Sequence, residues 1–454
     1  MSLILLVCLL PETLTTNATA YNFNQATPYW RTLLLVYKNI DVSYTDGDGQ
    51  ARHLTHSLPE MEITDGVNAF REYAALVYEG SDRATFSQID IIYVDRPLSS
   101  LSALGPNLWW PSPTDTALEL NSYVTDAYDS VLVLWPQTNF STGQQIPSYW
   151  GLGMEASSWS AGATYGTVAN APTWMWEIPT MGEPWLHEWL HGVSPFFANK
   201  GFAIPENNAD GASGHGYERS PTTGWMAYYH DLMTGQVLED GQLMGITAAA
   251  WQTGSIRGNW AKIFADYFRT DSLSSYEVQG EVIWDEEHGR LQLNHSTSSE
   301  NKLYTPITAA GNFIATGRFY IPTDPGPYDS LALAISNGSV EYWATLAVGT
   351  ALTEQNHISI MRNDAWGILH PLDLRPGWYT VKMQSDALAG LLRMKAWPDG
   401  ENEPDWQISR SIDAGWLAEQ IGFRNYGSAN VMVDDLQMQI TSHHQNIYLP
   451  FVQR

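Results

Sequence analysis

Cysteine is almost missing from this sequence: there is one, Cys8, in 454 residues. A disulfide framework is therefore excluded, and so is zinc held by several thiolates. Basic residues are scarce as well, with 22 Lys+Arg against 49 Asp+Glu and a net charge of −27. No Lys/Arg cluster breaks the negative field, which excludes nucleic acid and disfavours anionic membranes. No apolar run reaches the ~18 residues of a membrane span, so no membrane insertion is expected. There is no Gly-x-Ser-x-Gly elbow, no phosphate loop and no dinucleotide fingerprint. What is abundant is aromatic: 20 Trp, 23 Tyr and 13 Phe. A chain so rich in large apolar side chains folds around a core, and its length argues for at least two domains.

Residues 1–20 carry an apolar run, Leu3 to Leu10, then a polar stretch ending Ala18-Thr19-Ala20. An h-region before a small-x-small site predicts a cleaved secretory signal peptide and a secreted, extracellular protein, although a positive n-region is missing. Cys8 lies inside that segment, so thiol catalysis is excluded for the mature chain.

The rest divides by texture. Thr32–Tyr37, Ile89–Val94 and Ser130–Trp135 read as buried strands. Asp65–Tyr78 has apolar residues at helical spacing, and Trp185–Val193 and Trp225–Met233 also read as helices. This mixture predicts an α+β domain over 21–270. Beyond the polar Thr270–Ser275, short strand-like runs alternate with Gly, Pro, Asn and Asp, which predicts an all-β jelly-roll sandwich over 275–441. Residues 442–454, with His443-His444, read as a tail. Asp46-Gly47-Asp48-Gly49 reads as a hairpin turn in preference to a calcium loop, because other loop ligands are missing.

The chemistry concentrates at His187-Glu188-Trp189-Leu190-His191. Residues four apart share a helix face, so both imidazoles can reach one ion. Two neutral His suit Zn2+. Glu188, beside the first ligand, is placed to take a proton from an activated water and pass it to a leaving amine. Pro184 suits a first helical turn, and Trp185, Leu186, Trp189, Leu190 and Val193 would bury the helix. Two His and a Glu in so apolar a segment are costly unless paired or metal-bound. A third ligand is expected in the Gly-rich stretch after Ile204: Asp210 first, His215 second, with Glu206 behind them. Tyr217 is the first candidate for stabilising an oxyanion, with Tyr228 and Tyr229 as rivals. His230-Asp231 reads as a surface pair or as support for a ligand.

The segment His187–His191 resembles the active-site helix of the zincin metallopeptidases. The resemblance implies a zincin-like catalytic domain, a peptide or protein substrate, and an edge strand that aligns it, for which Ala163–Asn170 is the candidate. The second half, through Leu391–Gly400, Glu403–Trp406 and Gly422–Gly427, resembles concanavalin-like lectin and laminin-G jelly rolls, which implies a glycan partner for the C-terminal domain. No strand carries alternating carboxylates of the glycosidase kind. The expectation is a secreted zinc peptidase with Glu188 as general base. The alternative is a secreted glycan-binding protein with a non-catalytic zincin-like domain.

Overall fold

Tyr29–Tyr37 has bulky apolar residues at nearly every position, and its strand, Thr27–Tyr37 (β1), is buried along almost its whole length. A strand covered on both faces has this continuous apolar pattern, in contrast to the alternation of a half-exposed one. The computed structural model describes residues 26–176, 180–294, 300–324, 329–348, 355–427 and 430–440. The expected signal segment with Cys8, and the expected tail with His443-His444, lie outside these residues.

A hairpin follows, Asn39–Thr45 (β2) and Ala51–Ser57 (β3). At its tip the Asp46 carboxylate accepts from the backbone of Asp48 and Gln50, at 3.0 and 2.8 Å, and pairs with Arg52. The Asp-Gly-Asp-Gly segment is thus a turn. Helix Glu60–Gly80 (α1) starts with Glu60 and Glu62 in its first turn, where acids favour the positive end of the helix. It returns the chain to Phe86–Val94 (β4), parallel to β1.

Ser130–Trp135 (β5), fully buried, runs parallel to β1. Gly151–Met154 (β6) and Thr164–Ala169 (β7) complete the series, with β7 parallel to β5 and β6 antiparallel to β7. The order is β6-β7-β5-β1, with β4 at the far side of β1. Helices Glu183–Asn199 (α2) and Met226–Thr234 (α3) and α1 share one apolar core with this sheet. The first half is therefore a mixed sheet with helices against it.

Trp260–Asp266 (β8) pairs with the start of β1 at Thr27 and Pro28. The second half is two antiparallel sheets. Their main strands are Glu300–Ala310 (β9), Phe313–Ile321 (β10), Ser330–Ser336 (β11), Glu341–Ala347 (β12), His357–Arg362 (β13), Gly377–Asp386 (β14), Leu391–Pro398 (β15), Ala418–Tyr426 (β16) and Val431–Ile440 (β17). One sheet has the order β17-β10-β14-β15, the other β9-β16-β11-β12-β13. Between them lie Phe319, Leu333, Val381, Met394, Ile421 and Phe423. On β14, Tyr379, Val381 and Met383 enter this core, so the period of two sends Trp378, Thr380 and Lys382 to the opposite face.

That opposite face is covered by the first half. β8 pairs with β17 from Lys262↔Ile440 to Asp266↔Leu436, which makes the sheets of the two halves continuous. Arg71 of α1 reaches Asp399 at 2.9 Å, and the backbone N–H of Tyr93 on β4 donates to Asn402 at 2.8 Å. A cavity of about 90 Å³ remains between them, lined by Asp90, Tyr93, Arg318, Lys382, Trp397 and Glu403 among others. Among the described residues no helix is long and apolar enough to cross a membrane.

Candidate metal centre

α2 exists because its rear face is apolar. Trp185 stacks on Trp176 at 6.0 Å and meets Phe70 edge-on at 5.7 Å. Trp189 stacks on Trp251 at 6.2 Å and meets Trp30 edge-on at 5.6 Å. Each aromatic pair adds about 0.5–1.5 kcal/mol to the burial of its rings. The indole N–H groups are satisfied, Trp185 by the Gly66 carbonyl and Trp189 by Ser130. The helix begins at Gly182, whose φ of 93° and close approach to the Tyr73 backbone (2.7 Å from a would-be Cβ) admit no side chain. Pro184 follows in the first turn, where its missing N–H costs nothing. Pro195 lies four residues past His191 and cannot donate to its carbonyl.

With the tryptophans fixed behind, His187 and His191 emerge on the other face, partly exposed. Their Nε2 atoms stand 3.1 Å apart. Asp210 comes from a short turn, Asn208–Asp210. The chain reverses there through Asn207 and Asn208, at φ 61° and 35°, a region that asparagine tolerates better than most residues. Its carboxylate oxygens lie 3.4 Å from Nε2 of His187 and 3.5 Å from Nε2 of His191. Ligands about 2.0–2.1 Å from a tetrahedral zinc stand roughly 3.3 Å from one another. One Asp210 oxygen faces each imidazole at about that distance, Oδ1 toward His187 and Oδ2 toward His191, and a donor set of two imidazoles and a carboxylate suits zinc. Glu188 lies alongside, with Oε1 3.8 Å from Nε2 of His187. Among the described residues His187, Glu188 and His191 bring their ligand atoms within 4.8 Å of one another, a group that does not include Asp210.

The charges are tuned by this packing before any metal is counted. Burial pushes Glu188 up to about 7; Asp210 adds to the shift and His187 opposes it. Burial, with His187 next, brings His191 down to about 4. Burial also pulls on His187, but the hydrogen bond to Asp210 and the charges of Glu188 and Asp210 outweigh it, so His187 titrates above its ordinary value. The hydrogen bond to His187 holds Asp210 below the usual carboxylate range.

The other residues singled out from the sequence stand elsewhere. His215 hydrogen-bonds through Nε2 to the Glu206 carbonyl at 3.2 Å and stacks on Tyr228. Tyr217 donates its hydroxyl to Asp231 at 2.6 Å, and His230 bridges Asp231 and Asp82. Tyr228 donates to the Asn208 carbonyl. Tyr229 meets Nδ1 of His187, behind the ligand, at 2.8 Å.

The edge strand also differs from the expectation. β7, within Ala163–Asn170, is flanked by β5 and β6 and is interior; β6 is the edge. Its sequence, Gly-Leu-Gly-Met, alternates for a steric reason. A Cβ at Gly151 would stand 2.1 Å from Oε1 of Glu188, and one at Gly153 would stand 2.2 Å from the Glu188 carbonyl and 2.7 Å from His191 Cβ. The two glycines let the edge strand lie directly on the turn of α2 that carries Glu188 and His191. The signal was present in the sequence as glycines two apart, the period of one strand face. Should the site hold zinc and hydrolyse peptides, Gly151→Ala is expected to displace the Glu188 carboxylate and to cut that hydrolysis about 100-fold while zinc content is kept. Parallel kcat/KM and metal measurements check this; unchanged kcat/KM contradicts it.

The chain matches no protein-family model and no curated protein. Among solved structures it is similar to a glycosyl hydrolase family protein from Mycobacterium fortuitum, at 12% identity over 38% of this chain and 98% of that one, with a TM-score of 0.30. It is similar to peanut lectin with a 9mer peptide at 14% identity, over 40% and 98% of the chains, TM-score 0.31. Lectin II from Ulex europaeus gives 13%, 39% and 97%, with 0.33. Likeness at this level establishes nothing about function.

Proposed function

We propose that this chain is a secreted zinc-dependent peptidase that holds Zn2+ through His187, His191 and Asp210 and uses Glu188 as general base. The observation that carries the reading is that Nε2 of His187 and Nε2 of His191 stand 3.1 Å apart with one Asp210 oxygen facing each, Oδ1 at 3.4 Å and Oδ2 at 3.5 Å, beside the buried Glu188 carboxylate. Bound there, zinc supplies Lewis acidity toward a carbonyl and a water. Glu188, buried beside the first imidazole, is placed to take the proton of the attacking water and return it to the leaving amine. The free edge of β6, resting on Glu188 and His191, offers main-chain groups to align an extended peptide across the site.

Metal analysis of the purified protein tests the ligand set. One zinc per chain is expected in the parent and in His215→Ala, and none in Asp210→Ala after dialysis against a weak chelator. Zinc lost in His215→Ala and kept in Asp210→Ala reverses the assignment. Cleavage of a peptide library tests the activity, and stoichiometric zinc without any cleavage leaves a binding protein.

A further inference from the structure

Behind the metal ligands the partners are unusual. A zinc-bound histidine ordinarily donates its second N–H to a carboxylate, a backbone carbonyl or a water, and that partner fixes the ring and strengthens its donation. Here Nδ1 of His187 faces the hydroxyl of Tyr229 at 2.8 Å. Tyr229 is buried on α3, with its ring 6.0 Å from the imidazole. The preceding residue on α3, Tyr228, holds the Asn208 carbonyl in the turn that delivers Asp210. Adjacent tyrosines of one helix thus hold His187 and the turn of Asp210.

Resting on the zinc reading above, we propose that Tyr229 is a metal-positioning residue. Its hydroxyl oxygen accepts the Nδ1 hydrogen of His187, which selects the tautomer with a free Nε2 lone pair aimed at the metal. A neutral acceptor pulls less on that hydrogen than a carboxylate does, so His187 donates less charge and the metal stays more electrophilic. Tyr229 stands on the far side of the imidazole from Nε2, so it acts through His187 and not on substrate.

Tyr229→Phe removes one oxygen and keeps the ring. Zinc affinity is measured by competition with a chromophoric chelator, alongside thermal unfolding of the metal-free protein. The expected result is 10- to 100-fold weaker zinc binding with an unchanged metal-free midpoint. Proton NMR of the zinc-loaded parent shows a protected ring N–H of His187, and this signal is lost in the variant. A role in packing alone would shift the midpoint and leave the metal-free and zinc-loaded forms equally affected. If Tyr229→Phe binds zinc as tightly as the parent, the positioning role is overturned and the zinc site stands. A parent that binds no zinc overturns the site itself.

Discussion

Glu188→Gln is expected to leave one zinc in the protein and to slow peptide hydrolysis by about 10²–10⁴, the range for loss of a positioned general base. The substitution is nearly isosteric, so the close contact with Gly151 on β6 is kept and the amide fills the same space. Only the proton acceptor is removed. The pH dependence of the parent follows from the same group. A base works ionised, and burial raises this carboxyl to about 7, so the rate falls as the pH drops through its titration. A zinc ion beside it favours the charged form, so the acid limb falls below that value. Protonation of His187, whose pKa is raised, competes with metal in the same direction and steepens the loss. Measurements of kcat/KM across the acid and neutral range, with metal content followed in parallel, separate the two effects. A Glu188→Gln protein that cleaves at the parental rate would exclude Glu188 as the base.

The part of this site that could be read in the sequence is the part made within one helix. His187, Glu188 and His191 follow from a spacing of four, and Trp185 and Trp189 beside them announce a buried rear face. Asp210 could be named as a candidate because the loop after α2 is polar and Gly-rich, but its choice over His215 rests on two left-handed asparagines that no local pattern fixes. Gly151 and Gly153 lie far upstream, and only the packing of β6 on α2 gives them meaning. Tyr217, close in sequence to Asp210, is drawn away by Asp231, and Tyr229 proves to touch the site from behind. The strands of the second half were legible from their alternation. What covers them was not. Arg318, Thr380, Lys382 and Lys395 sit on the outward face of a sheet, where solvent is the default expectation, and three of them, Arg318, Thr380 and Lys395, are buried. They are explained by long-range pairing of β8 with β17 and by the loop carrying Asp399, Asn402 and Glu403, contacts that no local window contains.

Arg318→Ala is therefore expected to be among the most destabilising single changes in the chain. The guanidinium is buried against the first half and reaches Asp399 at 2.7 Å, Asp435 at 3.5 Å and Asp434 at 3.6 Å, and it lies over the Trp378 ring at 4.7 Å. Asp399 is shared with Arg71 of α1, so one carboxylate ties both halves together. Removing the arginine leaves its partners in a buried site with little compensation, a change that costs about 3–5 kcal/mol. The acids do not weigh equally. Burial, reinforced by Asp435, raises Asp434 well above its ordinary value, so its charge is disfavoured there. Burial also opposes the charge on Asp399, but Arg71 and Arg318 outweigh it and hold Asp399 below its ordinary value. Asp434→Asn, which removes a charge that burial already disfavours, is expected to cost less than Asp399→Asn, which strands two arginines. Denaturant unfolding of the three variants checks the order Arg318→Ala, Asp399→Asn, Asp434→Asn. Because the latch joins the body that carries α1 to the sandwich, the same variants should expose the seam to proteolysis before either core opens. Equal costs for Asp399→Asn and Asp434→Asn would mean that both acids are ionised and that the arginine balances the whole cluster.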